Sequence, residues 1–249
     1  MTTQISPPFI ETQHVVPSLK KTGYAVLSPA SAIDLLGCAT ENTSNWLPSW
    51  NDLPPDAYLK DGGHYRRRRH SCFVVKADSL LQVPHRAHWQ PLEYNALHGG
   101  MQRMFEPMSV DIAQSSAWAT LLSKLGQVCT ALKPEKTTWF VEAHQFRIDT
   151  TDGIGRPTPE GAHRDGVDFV AVILINRHGI KGGETRVFDV DGPAGQRFTM
   201  TEPWTLLLLD DERVIHESTP IQPLDIASSG LSYRDTLVLT FRATAFQGE

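Results

Sequence analysis

The sequence contains little cysteine and no long apolar run. Its 249 residues include only three cysteines, Cys38, Cys72 and Cys129, whose wide spacing fits neither a disulfide framework nor a zinc knuckle. We therefore predict that all three are reduced thiols. No apolar run reaches the roughly 18 residues that a membrane-spanning helix needs, and the first residues lack the basic and apolar segments of a signal peptide. These features predict a soluble, cytoplasmic protein with no membrane partner.

The chain also lacks an excess of basic charge. Its 23 lysines and arginines are outnumbered by 28 aspartates and glutamates, which gives a net charge of −5 and predicts no nucleic-acid partner. The densest basic run is RRRR at 66–69. In an extended segment Arg66 and Arg68 face opposite to Arg67 and Arg69. One pair could therefore bind an anionic substrate group, although a solvated strand face is the simpler alternative.

Residues 1–136 mix helix and strand patterns. A short strand is predicted at 24–27, and Ser28 can then cap a helix that starts at Pro29. The clearest helix lies within 115–133, where large apolar residues recur at steps of three and four. We expect this segment of the chain to pack as a helical and mixed layer against the remainder.

Residues 137–249 are mostly strand-like. Short stretches rich in β-branched, aromatic and leucine residues alternate with turn sequences such as GIGRPTPEG, KGGE and DGPAGQ. Such spacing is typical of an all-β barrel or sandwich. We therefore expect one domain over 1–249, mainly β with flanking helices and in this sense α+β. Within it, residues 1–136 are expected to pack on a β-core formed by 137–249.

The stretch GAHRDGVDFVAVILI places His163 and Asp165 just before an apolar run, Phe169–Ile175, that is typical of a buried strand. A carboxylate beside a buried strand is costly unless something pairs with it, and a metal ion is one such partner. His163 and Asp165 share one face of an extended segment, and His216 is the third candidate ligand. Two imidazoles and one carboxylate form the facial triad of non-haem Fe(II) oxygenases. Each residue also has a simpler explanation as a loop, turn or core residue.

Two further positions match a carboxylate site. Arg234 begins the strand-like stretch RDTLVLTF, and its planar guanidinium suits the distal carboxylate of 2-oxoglutarate. Thr236 would share the Arg234 face of that strand and could add a hydroxyl donor. The alternative for Arg234 is an edge-strand arginine paired with an acidic neighbour.

The strand-like stretch EAHQFRI offers two more candidates. Gln145 and Arg147 alternate with His144 and Phe146. If the Gln145 face points into the barrel, Gln145 could bind the cosubstrate, and Arg147 is a candidate for the substrate. A polar face open to water is the alternative. Three histidines in a Pro- and Gly-punctuated region receive no role: His85, His88 and His98.

Five motifs together resemble one enzyme family. They are HQFR at 144–147, HRDG at 163–166, GGET at 182–185, HESTP at 216–220 and YRDTLVLTF at 233–241, with a weaker match at YRRRRHSCF, 65–73. As a set they resemble the bacterial Fe(II)/2-oxoglutarate dioxygenases that hydroxylate free aliphatic amino acids, such as the L-isoleucine 4-hydroxylases. The resemblance runs through most of the C-terminal half of the chain.

The resemblance implies a double-stranded β-helix, or jelly roll, flanked by N-terminal helices. It places the metal ligands on His163, Asp165 and His216 and the cosubstrate arginine on Arg234. It also implies Fe(II), 2-oxoglutarate and O₂ as cofactor and cosubstrates. The expected reaction is hydroxylation of the side chain of a free aliphatic L-amino acid, with release of succinate and CO₂.

Three alternatives stay open on the sequence. The same chemistry could act on a peptide or a conjugated small acid. The chain could be a non-catalytic jelly-roll module with a binding or regulatory role, although the complete set of ligands and Arg234 argues against this. It could also be a cupin-like metalloprotein that uses no 2-oxoglutarate. The sequence predicts neither the oligomeric state nor the substrate carbon.

Overall fold

Thirteen strands and five α-helices form in the ranges of the chain that the structure describes. This structure, a computed structural model, describes residues 4–38, 43–77, 79–225 and 231–248. The helices are α1 Val15–Thr22, α2 Pro29–Leu36, α3 Pro48–Asn51, α4 Val110–Ala113 and α5 Ser116–Leu132. The strands are β1 Phe9–Ile10, β2 Tyr24–Leu27, β3 Arg66–Lys76, β4 Ser79–Gln82, β5 Thr138–Asp149, β6 Phe169–His178, β7 Ile180–Gly182, β8 Thr185–Asp189, β9 Gly195–Phe198, β10 Leu206–Asp210, β11 Val214–Ser218, β12 Ile221–Pro223 and β13 Tyr233–Arg242. None of the helices in these ranges is both long enough and apolar enough to cross a membrane.

Local sequence signals set the N-terminal elements. The predicted strand at 24–27 is β2, and serine caps are present on α2 and α5. The Ser28 hydroxyl accepts the Ser31 N–H at 3.3 Å, with proline at the first helical position. The Ser115 hydroxyl accepts the Trp118 N–H at 3.1 Å at the start of α5. Side-chain caps of this kind satisfy backbone donors that the first helical turn leaves free.

The strands form one large sheet and two small ones. The large sheet has the order β1-β2-β10-β6-β13-β5-β3-β4, and the small sheets are β11-β8-β9 and β12-β7. The small sheets pack on one face of the large sheet, where Val187 of β8 joins a cluster with Val170 and Leu174 of β6. This arrangement confirms the predicted jelly-roll core with flanking helices.

The helices cover the other face of the large sheet. Leu237, Leu239 and Phe241 of β13 share a buried core with Trp118 and Leu125 of α5. Alternate residues of the same strand point away from the helices and line a cavity: Thr236, Val238 and Thr240. Period-two alternation therefore divides each central strand into a helix-facing side and a cavity-facing side.

The expected division between 1–136 and 137–249 needs correction. Strands β1 to β4 come from residues 1–136, yet they pair with β10 and β5 in the same eight-stranded sheet. Along β3, eleven residues pair antiparallel with β5, from Arg66 with Ile148 to Lys76 with Thr138. The N-terminal segment therefore builds one wall of the β-core, and β3 pairs with the edge of β5 that β13 leaves open.

Candidate functional site

A cavity lies between the large sheet and strand β11. It encloses about 950 Å³ of empty space, including the volume that opens to solvent. Its lining residues come from β3, β5, β6, β13, β11, the loop before β6, the segment 88–103 and Gln247. Six of the predicted site residues line this cavity. They come from the metal pattern, the carboxylate pattern and the arginine run: Arg66, Arg68, His163, Asp165, His216 and Arg234. Thr236 also lines the cavity, as its shared strand face predicts.

Backbone pairing brings the two candidate ligand segments together. His163 lies in a loop and His216 on β11, more than fifty positions later, and the two residues form an antiparallel bridge. The His163 N–H donates to the His216 carbonyl at 3.0 Å, and the His216 N–H donates to the His163 carbonyl at 2.9 Å. The spacing of the two imidazoles is therefore fixed by the backbone rather than by the side chains alone.

The donor atoms of His163, Asp165 and His216 all lie within 4.8 Å of one another. The Nε2 atoms of His163 and His216 are 3.8 Å and 3.6 Å from the Asp165 carboxylate oxygens. These distances are too long for hydrogen bonds. They leave space for an ion, since ligands at about 2.0–2.2 Å from a metal lie about 3.0–3.5 Å apart. The set therefore fits a divalent metal with nitrogen and oxygen preference.

A backbone carbonyl orients the His163 imidazole, whereas the buried Nδ1 of His216 has no hydrogen-bond partner among the described residues. His163 Nδ1 donates to the Gly161 carbonyl at 3.0 Å, so in the neutral ring Nε2 carries the lone pair that a metal requires. Burial disfavours charge on both rings. In His216, burial and the nearby His163 ring lower the pKa well below its usual range. For His163, burial is opposed by Asp165 and Glu160, whose carboxylates raise its pKa.

Asp211 organises the loop that carries Asp165. Its carboxylate accepts three consecutive backbone N–H groups, from Asp165 at 3.0 Å, Gly166 at 2.8 Å and Val167 at 3.1 Å. Gly166 has a φ of +75°, and a Cβ at this position would overlap the ring of Tyr94. Neither role is apparent from the sequence. The available signal is an acidic pair, DD, just before the candidate ligand His216.

Arg234 is a buried cation with no counter-ion among the described residues. Its exposed fraction is 4%, and among the described residues no carboxylate pairs with it and its Nε has no hydrogen-bond partner. Burial, with a contribution from Arg177, lowers its pKa to about 10. A buried charge of this kind needs an anion, and a carboxylate would match the planar guanidinium.

The structure does not bring Gln145 and Arg147 into the cavity, which corrects their predicted placement. Gln145 donates to the Ser49 hydroxyl at 2.7 Å, and Arg147 forms two 2.7 Å hydrogen bonds with the Asp235 carboxylate. The cause is strand alternation, because their neighbours His144 and Phe146 occupy the cavity face of β5. Gln145 and Arg147 therefore belong to the helix-facing side.

The arginine run of β3 divides as its alternation predicts. Arg66 and Arg68 line the cavity and are 5% and 3% exposed. Arg66 donates to Asp56 at 2.7 Å. The Arg68 guanidinium lies 3.8 Å from the centre of the Phe105 ring and donates to His144 Nδ1 at 2.7 Å.

A buried cluster that no sequence pattern indicates adjoins the cavity, and three of its four residues line it. Its members are His70, His88, Glu142 and His144. His70 Nε2 and His88 Nδ1 lie 2.8 Å and 2.7 Å from the same Glu142 oxygen. Such contacts are hydrogen bonds, and they are shorter than the separation of two metal ligands. His88 carries no predicted role, and its pairing with Arg103 across an isolated β-bridge places it here.

Comparisons with known proteins give a matching family model and similar solved structures. The sequence model of the 2OG-Fe dioxygenase family matches residues 47–240. The crystal structure of a bsmA homolog from Methylobium petroleophilum PM1 has 52% sequence identity to the chain. It superposes with a TM-score of 0.91, over 98% of this chain and 97% of that one. No protein of curated function matches the sequence.

Two more distant structures share the fold. IDO from Bacillus thuringiensis has 18% identity and a TM-score of 0.72, over 98% of this chain and 100% of that one. The Fe(II)/α-ketoglutarate-dependent dioxygenase TqaL has 19% identity and a TM-score of 0.70, over 93% of this chain and 86% of that one.

Proposed function

Because the chain belongs to the 2OG-Fe dioxygenase family, we propose that it hydroxylates the side chain of a free aliphatic L-amino acid, with release of succinate and CO₂. Family membership makes the protein an enzyme that uses Fe(II), 2-oxoglutarate and O₂. The alternatives of a non-catalytic module and of a metalloprotein without 2-oxoglutarate are thereby set aside.

In this proposal His163, Asp165 and His216 hold the iron. Bound Fe(II) would supply the activation of O₂ and the oxidation of the cosubstrate, which no side chain can perform. The protein fixes the ligand set through the backbone bridge between His163 and His216. Asp211 keeps the Asp165 loop in place through three backbone hydrogen bonds.

The observation that carries the proposal is Arg234, a cation that has no carboxylate partner among the described residues. It is buried on the same wall of the cavity as Thr236, and no described carboxylate neutralises it. The distal carboxylate of 2-oxoglutarate would supply the missing anion, with the Thr236 hydroxyl as a second donor.

The rest of the cavity supports a small charged substrate. Arg66 and Arg68 offer guanidinium groups to a substrate carboxylate, and Val172 and Val238 line the cavity with apolar surface. A free aliphatic amino acid combines these two properties in one small molecule. A peptide or a conjugated small acid is the alternative, and a substrate panel separates them.

The first test is an anaerobic absorption titration of metal-free protein with Fe(II) and 2-oxoglutarate. We expect a visible metal-to-ligand charge-transfer band in the wild type and none in Asp165→Ala. Succinate release is then measured with free amino acids, their N-acetyl derivatives and short peptides. Turnover restricted to free aliphatic amino acids, with a product heavier by one oxygen atom, supports the proposal. Turnover of peptides or N-acetyl derivatives alone would overturn it.

A further inference from the structure

Glu142 is a buried carboxylate on the cavity wall, and its partners are two histidines. It lies on β5, is 7% exposed and lines the cavity that contains the candidate metal ligands. We propose that Glu142 binds the ammonium group of the substrate and thereby selects free amino acids over acids that lack this charge. This inference rests on the proposed function and names a residue that sets its specificity.

The hydrogen bonds of Glu142 leave one oxygen available. His70 and His88 both approach Oε2, at 2.8 Å and 2.7 Å. Among the described residues, Oε1 has no hydrogen-bond partner. An ionised carboxylate can accept about four hydrogen bonds. Glu142 is therefore held in a fixed orientation by two donors and can still accept a hydrogen bond from a ligand in the cavity.

The charges around Glu142 favour a cationic ligand. Burial lowers the pKa of both His70 and His88, in the case of His88 to about 4, so both are neutral donors at pH 7. Burial raises the pKa of Glu142, but its contacts with His88 and His70 lower it below the usual range. The carboxylate thus keeps a full negative charge, and the histidines do not neutralise it.

The neighbouring arginines do not fill this place. Arg68 directs its guanidinium to His144 Nδ1 at 2.7 Å, and Arg103 donates to Gln90 Oε1 at 2.9 Å. Neither forms a hydrogen bond with Glu142 in the described structure, although both are close enough to interact with it electrostatically. They present cationic groups to a substrate carboxylate beside the anionic group that would bind its ammonium. An α-amino acid carries these two charges on groups attached to one carbon.

A metal ion is a poorer occupant of this cluster. Tetrahedral ligands at about 2.0–2.1 Å from zinc lie about 3.3 Å apart, whereas the two histidine nitrogens lie 2.8 Å and 2.7 Å from Glu142 Oε2. The Arg68 guanidinium also contacts His144, the fourth member of the cluster, and places a positive charge beside it. Hydrogen bonding within the cluster and a cation bound from the cavity explain these distances better.

The test compares Glu142→Gln with wild type on two matched substrates, using enzyme loaded with Fe(II) and 2-oxoglutarate. The substrates are L-leucine, or the most active amino acid of the panel, and its 2-hydroxy analogue. The glutamine keeps the size and one acceptor oxygen but removes the charge. We expect the KM for the amino acid to rise about 30-fold or more, while the KM for the hydroxy acid changes less than about threefold. Dissociation constants for both compounds, measured anaerobically by calorimetry, should show the same split.

Controls separate this inference from a structural effect. Glu135→Gln removes the same charge from an exposed position and should leave every parameter unchanged. The charge-transfer band with 2-oxoglutarate reports an intact site in Glu142→Gln. Equal losses for both substrates, or an unchanged amino-acid KM, would overturn the ammonium role while the proposed function stands. If wild type turns over no free amino acid, the proposed function fails, and this inference fails with it.

Discussion

Replacing Arg234 with methionine should weaken cosubstrate binding and stabilise the unliganded protein. Arg234 is buried, and the described residues give it no carboxylate partner. Its pKa falls from 12.5 to about 10, which corresponds to about 3 kcal/mol against the buried charge. A methionine of similar size removes that cost. We therefore expect the free energy of unfolding of metal-free Arg234→Met to rise by as much as about 3 kcal/mol.

The same substitution removes the proposed partner of the 2-oxoglutarate carboxylate. Loss of one partner of a buried, hydrogen-bonded charge pair costs about 2–5 kcal/mol. The dissociation constant for 2-oxoglutarate should therefore rise by a factor of between about 30 and several thousand. Urea unfolding of the metal-free protein measures the first effect. The anaerobic charge-transfer titration measures the second.

Arg147→Met is the matched control. Arg147 is paired with Asp235 on the helix-facing side of the sheet, at 2.7 Å for both hydrogen bonds. Removing it leaves a buried carboxylate unpaired, so we expect a loss of about 3–5 kcal/mol in stability and an unchanged affinity for 2-oxoglutarate. A loss of stability in Arg234→Met like that in Arg147→Met, or normal binding of 2-oxoglutarate, would show that Arg234 is not an unneutralised charge that binds the cosubstrate.

Three further predictions concern the loop and the buried cluster. Asp211→Asn should lower Fe(II) affinity by about 10- to 100-fold, measured by competition with a chromophoric chelator; unchanged affinity would contradict its positioning role. Gly166→Ala should destabilise the protein by at least about 1 kcal/mol in urea unfolding, because its φ is +75° and the new Cβ would meet Tyr94. A stable variant would show that this loop can rearrange. His88 has a folded pKa of about 4 against 6.5 unfolded, so the unfolded state binds more protons between these values. The contribution of His88 to the free energy of unfolding is therefore constant above about pH 6.5. It should fall by up to about 1.4 kcal/mol per pH unit as the pH drops toward 4. The stability of His88→Gln should therefore depend less steeply on pH in this range, and an equal slope would count against the assignment.

The buried histidine cluster shows why some site residues cannot be predicted from sequence patterns. His144 lines the cavity from β5, two positions from Phe146, and His70 pairs with it from β3, two positions from Arg68. His88 reaches the cluster from a segment without regular secondary structure. No spacing rule links a loop residue to a position on a distant strand, because the link consists of tertiary contacts.

The sequence by itself determined the local elements and the chemical groups of the site. Period-two alternation separates Arg66 and Arg68 from Arg67 and Arg69, and it places Thr236 on the face of Arg234. These relations depend only on strand geometry, which every residue of a strand obeys.

Only the tertiary structure decided which face of each strand lines the cavity. Alternation predicts that Gln145 and His144 lie on opposite faces of the strand. It does not predict which of the two faces lines the cavity. The choice depends on where α5 and the small sheets pack, and packing sends Gln145 toward the helices. The backbone bridge that joins His163 to His216 is likewise a contact between segments distant in the chain. Such contacts are set by the burial of the whole core, so no local pattern contains them.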